Sequence, residues 1–128
     1  MKYLSAANIA DLRTRNIDIY ATIIIAVVIG MATLTPVEEL PAVSGSDKLY
    51  HLISFAILTL PIAVIRPKAV WVIFILSVVY GGAIEVLQPL VDRNCELADF
   101  LADACGSMLG IFTGRWLVRS TPASTGRY

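Results

Sequence analysis

Charge is what this chain has least of. Only 16% of its residues are Asp, Glu, Lys or Arg, where soluble domains carry roughly 25%. The formal net charge is zero, so neither a basic nor an acidic partner surface is implied. No basic stripe accompanies a recognisable nucleic-acid-binding motif, which excludes that class. Cysteine is scarce as well: Cys95 and Cys105 stand alone and make no disulfide framework. With a single histidine, no Cys/His set has zinc-site spacing, and the local spacing predicts no metal and no cofactor.

What fills the space is apolar. Hydrophobic residues make up 57% of the 128, and the mean hydropathy is +0.74. Four segments approach the roughly 20 residues that a helix needs to cross a bilayer. They are 17–35 ("IDIYATIIIAVVIGMATLT"), 48–65, 69–90 and 97–118. The fold expected is all-α, a four-helix transmembrane bundle spanning 17–118. Residues 1–16 read as a cytoplasmic tail or interfacial helix, and 119–128 as a disordered tail. The first apolar run exceeds the roughly 7–15 residues of a signal-peptide core, so it reads as a retained span.

Lysine and arginine set the expected orientation. Lys2, Arg13 and Arg15 precede the first span, Arg66 and Lys68 join the second to the third, and Arg115, Arg119 and Arg127 end the chain. With both termini inside, these share one side, and only Lys48 and Arg93 lie outside.

The spans carry polar residues in lines. At about 100° per residue, Gly81, Glu85 and Gln88 share one stripe of the third span. Asp99, Asp103, Gly106 and Gly110 share one of the fourth, and Asp47, His51 and Ser54 share a face of the second. In the expected topology His51, Glu85 and Asp103 all fall roughly 5–10 Å below the outer interface, at 1.5 Å rise per residue. A carboxylate facing lipid is costly, so Glu85, Asp99 and Asp103 should face inward and pair with Lys48, His51 or Arg93. Taken singly, each residue fits a bland role equally well: charges near an interface snorkel, and a buried Gln can simply join helices. Convergence of three spans at one depth favours a site. Gly106, Gly110 and Gly114, spaced four apart, form a small-residue face for close helix contact. Gly81 and Gly82 offer a matching surface on the third span.

The stretches "SDKLYHLISFAIL", "YGGAIEVLQ" and "DRNCELADFLADACGSMLG" together resemble the VanZ-like membrane proteins over about residues 46–114. Asp47, Lys48, His51 and Phe55 match that family's first motif. Gly81, Glu85 and Gln88 match the second, Arg93 the loop, and Asp99, Gly106 and Gly110 the last. Asp103 departs from the pattern, standing where the family has Asn. The resemblance implies a polytopic bacterial inner-membrane protein and a family association with glycopeptide (teicoplanin) resistance. It implies no defined enzymatic activity.

The leading expectation is an extracytoplasmic-leaflet pocket for an anionic cell-envelope lipid or lipid-linked precursor. Lys48 and Arg93 would hold its phosphate; His51, Glu85 and Asp99 would orient them, Asp103 could carry a proton, and Gln88 joins the ligand-binding set with Asp47 in support. Two alternatives stand beside it. One is a membrane enzyme using His51 and a carboxylate, or a divalent cation, on a lipid phosphate or ester. The other is an assembly subunit whose glycine face receives a membrane-protein partner or a second copy.

Overall fold

The computed structural model describes residues 6–36 and 47–120, and among them every regular element is helical. Helix α1 (Ala6–Thr14) is short. Asn16 then takes a left-handed conformation, φ 52°, which Asn tolerates better than other non-glycine residues. Its carbonyl accepts the N–H groups of Ile19 and Tyr20, both at 3.1 Å. This break turns the chain by 63° into α2 (Ile17–Thr33). Pro36 follows the end of α2, where the Leu34 N–H closes on the Gly30 carbonyl at 3.0 Å.

Helix α3 (Asp47–Ile65) runs through Pro61 and stops at Arg66, ahead of Pro67. A single turn of 3-10 helix (Pro67–Ala69) reverses the chain into α4 (Val70–Leu87). A second 3-10 turn (Gln88–Val91), with Pro89 at its start and Asp92 left-handed at its end, precedes α5 (Leu97–Ser120). The Glu96 carbonyl starts α5 by accepting the Asp99 and Phe100 N–H groups. Three stretches, 47–65, 67–91 and 97–120, are long and apolar enough to cross a membrane, or up to four if the bent α1–α2 pair makes one span. The expected tail from residue 121 onward lies outside the described residues, as do residues 1–5 and 37–46.

The polarity of this bundle is inverted. Among the described residues, buried polar side chains are as numerous as buried apolar ones. Large apolar side chains such as Ile24, Val28, Trp71, Val79, Val86, Phe112 and Trp116 point outward instead. A water-soluble domain rarely exposes so continuous an apolar surface; lipid is the solvent that suits it.

Helix α3 is the centre, with its largest interface against α5. The glycine face of α5 permits this. A Cβ at Gly106 would collide with the Leu52 backbone, and one at Gly110 with the Ala56 backbone and the Thr59 hydroxyl. At Gly114 it would come 2.7 Å from the Ala63 Cβ. The glycine face thus meets the second span, α3, and not the third: Gly81 and Gly82 are not its counterpart. The reason is that α3 offers exposed backbone between small side chains, whereas Gly81 is covered by Asp103, whose Oδ2 would lie 2.7 Å from a Cβ there. Gly82 is looser, with Phe100 3.6 Å away.

Hydroxyls complete the joints. Thr59 donates to the Ser107 carbonyl at 3.0 Å, and Ser77 reaches the Ser107 hydroxyl at 2.8 Å, tying α3 and α4 to α5. The Tyr80 hydroxyl donates to the Ala26 carbonyl at 2.5 Å, with Gly30 leaving it room on α2. Each satisfies a group that lipid cannot.

Candidate functional site

Two polar clusters sit at opposite ends of the bundle. The first joins α1, α2 and the end of α3. Arg66 donates through Nε to Asp18 Oδ2 at 2.5 Å and through Nη2 to Oδ1 at 3.3 Å, a two-pronged ion pair. The same Nη2 donates to Asn16 Oδ1 at 2.7 Å and to the Arg13 carbonyl at 3.2 Å. Asp18 is wholly buried. Sequence reasoning used Arg66 only as a topology signal and missed Asp18; the signal available was an acid one residue into an apolar run.

The second cluster lies where the start of α3, the end of α4 and the start of α5 meet. It gathers all seven residues singled out from the sequence: Lys48, His51, Glu85, Gln88, Arg93, Asp99 and Asp103. At the rim, Lys48 Nζ lies 2.7 Å from Glu96 Oε2 and 3.5 Å from Asp99 Oδ1. Arg93 Nη2 lies 3.3 Å from Asp47 Oδ1. Deeper in, His51 Nδ1 lies 2.8 Å from Asp103 Oδ1, with both residues buried.

Glu85 departs from expectation. Instead of pairing with a cation, its Oε2 accepts the Glu96 backbone N–H at 2.9 Å and so secures the loop that enters α5. Gln88, with its amide nitrogen turned inward, donates to the Asn94 carbonyl at 3.2 Å and to Glu85 Oε2 at 3.3 Å. Ser54 adds no hydrogen bond to the cluster. Glu96 was not anticipated, because it belongs to no stripe: it lies in the loop. There the Lys48 ammonium, by hydrogen bond and by charge, holds its carboxyl below the usual range.

The cluster is rich in acid. Five carboxylates (Asp47, Glu85, Glu96, Asp99 and Asp103) surround two permanent cations and one imidazole. It is also unfinished. His51 Nε2, Glu85 Oε1, Asp99 Oδ1 and Asp103 Oδ2 are buried and make no hydrogen bond. Buried polar atoms normally find partners, and leaving one unmade costs about 1–3 kcal/mol.

Fold and cluster together define a class, a polytopic helical membrane protein with an acid-rich polar centre at one end. The chain belongs to the VanZ/LLP1 family, which matches residues 6–118. No curated protein and no solved structure matches it.

Proposed function

We propose that the chain is a multi-pass bacterial inner-membrane protein, both termini inside, that holds the phosphate of an anionic cell-envelope lipid or lipid-linked precursor at the outer leaflet. The observation that carries this reading is the pair Lys48 and Arg93. They are the two cations at the mouth of the buried cluster, each steadied from behind by a carboxylate. Lys48 remains half exposed, and an ammonium with three donors or a guanidinium with five has hydrogens to spare for a phosphate. The apolar helix faces on either side suit acyl or polyprenyl chains. The orientation draws on the other cations: Arg66, Arg115 and Arg119 belong to the opposite end, where Trp71 and Trp116 are exposed at the level of an interface.

The test is native mass spectrometry of gently extracted protein. A phosphate-bearing lipid should stay bound and should be lost from the Lys48→Ala/Arg93→Ala double variant. Unchanged co-purification sinks the reading. The family's association with teicoplanin resistance supplies a phenotype to measure beside it, susceptibility with and without the gene.

A second reading is favoured by the unpartnered polar atoms beside His51: an enzyme acting on a lipid phosphate or ester. Turnover of polyprenyl phosphates by the purified protein, with and without chelator, separates it from simple binding. The assembly reading has less support, because the glycine face it relied on is packed within the chain against α3.

A further inference from the structure

Below the rim, one imidazole and several carboxylates converge from three helices. A ring nitrogen of His51 (α3), an oxygen of Glu85 (α4) and an oxygen of Asp103 (α5) lie within 4.8 Å of one another, and all three residues are buried. Around a small divalent cation with bonds of about 2.1 Å, donors sit roughly 3–4 Å apart, so small side-chain rotations close the set. Each of the three residues also has one polar atom with no partner: His51 Nε2, Glu85 Oε1 and Asp103 Oδ2.

The other oxygens and nitrogen are held. Asp103 Oδ1 engages His51 Nδ1 at 2.8 Å, and Glu85 Oε2 takes the Glu96 N–H. The two ring nitrogens face opposite sides of the imidazole, so an ion shared with Asp103 binds on the Nδ1 side and takes the place of that contact. Asp103 Oδ2 meanwhile lies over Gly81, on the same face of α4 as Glu85, where any larger residue would crowd it. A second set, Asp47, His51 and Asp99, shares the histidine. It is the weaker one, because Asp47 is exposed and engaged by Arg93.

We infer that His51, Glu85 and Asp103 form a binding site for a divalent cation of the Mn2+ type. One imidazole with several carboxylates is an oxygen-rich donor set, which suits Mn2+ better than sulfur-seeking metals. The ion offsets the surplus of carboxylates and gives Glu85 Oε1 and Asp103 Oδ2 the partner they lack. The inference stands on these atoms alone and does not require the lipid reading.

The chain's single histidine makes the test direct. Tag-free full-length protein in detergent is stripped with EDTA and titrated with MnCl2, free Mn2+ being read by electron paramagnetic resonance. One Mn2+ per chain is expected, with 14N modulation in the spin-echo envelope of the bound ion, which only His51 can supply as an imidazole. The Glu85→Gln/Asp103→Asn double variant should weaken binding by about tenfold or more, while Asp11→Asn, on the exposed surface of α1, should not. No retained Mn2+ overturns the inference, because protons then satisfy the carboxylates. So does bound Mn2+ without imidazole modulation, which places the ion on the rim. The spectroscopic reading needs only the wild-type chain, so a variant that fails to fold does not remove the test.

Discussion

At the Arg66 end of the bundle both oxygens of Asp18 are taken, by a guanidinium that also fills Asn16 and a carbonyl of α1. At the His51 end, among acids buried just as deeply, four polar atoms make no hydrogen bond, and only Asp99 Oδ1 has an ion pair, with Lys48 at 3.5 Å. The same residue types are therefore used in two ways. A closed network leaves nothing for a ligand and ties helices together. An open one gives up stability to keep donors available, the exchange often found at binding sites. Burial alone does not distinguish the two ends; saturation does.

The largest effect should come from breaking the closed end. Asp18→Ala strands Arg66 beside the bundle, and losing one member of a buried pair costs about 3–5 kcal/mol. The low end of that range is expected, because Arg66 keeps 23% of its side-chain surface exposed and can turn toward headgroups. Unfolding in bicelles measures it, and Asp18→Leu with Arg66→Met should recover most of the loss. The matching change at the open end, Asp103→Asn, retains an acceptor for His51 and should move stability by less than about 1 kcal/mol. Equal losses at both ends would dissolve the distinction.

Glycines sharpen the comparison at a smaller scale. Gly110→Ala drives a methyl into the α3 backbone and should cost about 2 kcal/mol, as overpacking typically does. Gly81→Ala meets the Asp103 side chain, Oδ2 at 2.7 Å and Cβ and Cγ at 3.2 and 3.3 Å, and no backbone. It should cost less in unfolding than Gly110→Ala while weakening Mn2+ uptake.

The smallest effect is electrostatic and belongs to the rim. Lys48 depresses the Glu96 carboxyl from its ordinary 4.5. The folded pKa is the lower one, so the stabilisation is present in full above about pH 4.5 and fades as the pH falls through the folded value. Glu96→Gln should flatten that acid limb of a pH-stability curve; an unchanged curve would show that the pair is fully screened by solvent.

Much of this was legible in the sequence. Helical period and span length fixed which polar residues share a face, and the depth argument brought His51, Glu85 and Asp103 to one level before any contact was known. Partner choice was not legible. Whether the Gly106–Gly110–Gly114 face meets α3 or α4 depends on which neighbour exposes backbone between small side chains, and periodicity carries no such information. Asp18 and Glu96 escaped for a related reason: each acts through a residue about 48 positions away, and neither belongs to a stripe. A divalent cation beside His51 could be weighed from the sequence, but which carboxylates would join it could not, because each comes from a different helix.

The glycine contact has a consequence for selectivity. With their backbones in contact, α3 and α5 behave as one stiff plate, and that plate carries His51 and Asp103. Glu85 stands on α4, whose contact with the plate is smaller and is made largely through side chains. Two donors are thus fixed and the third is compliant. Ions of different radius would be accommodated by the reach of one glutamate, giving the site a graded tolerance of size instead of a single permitted diameter.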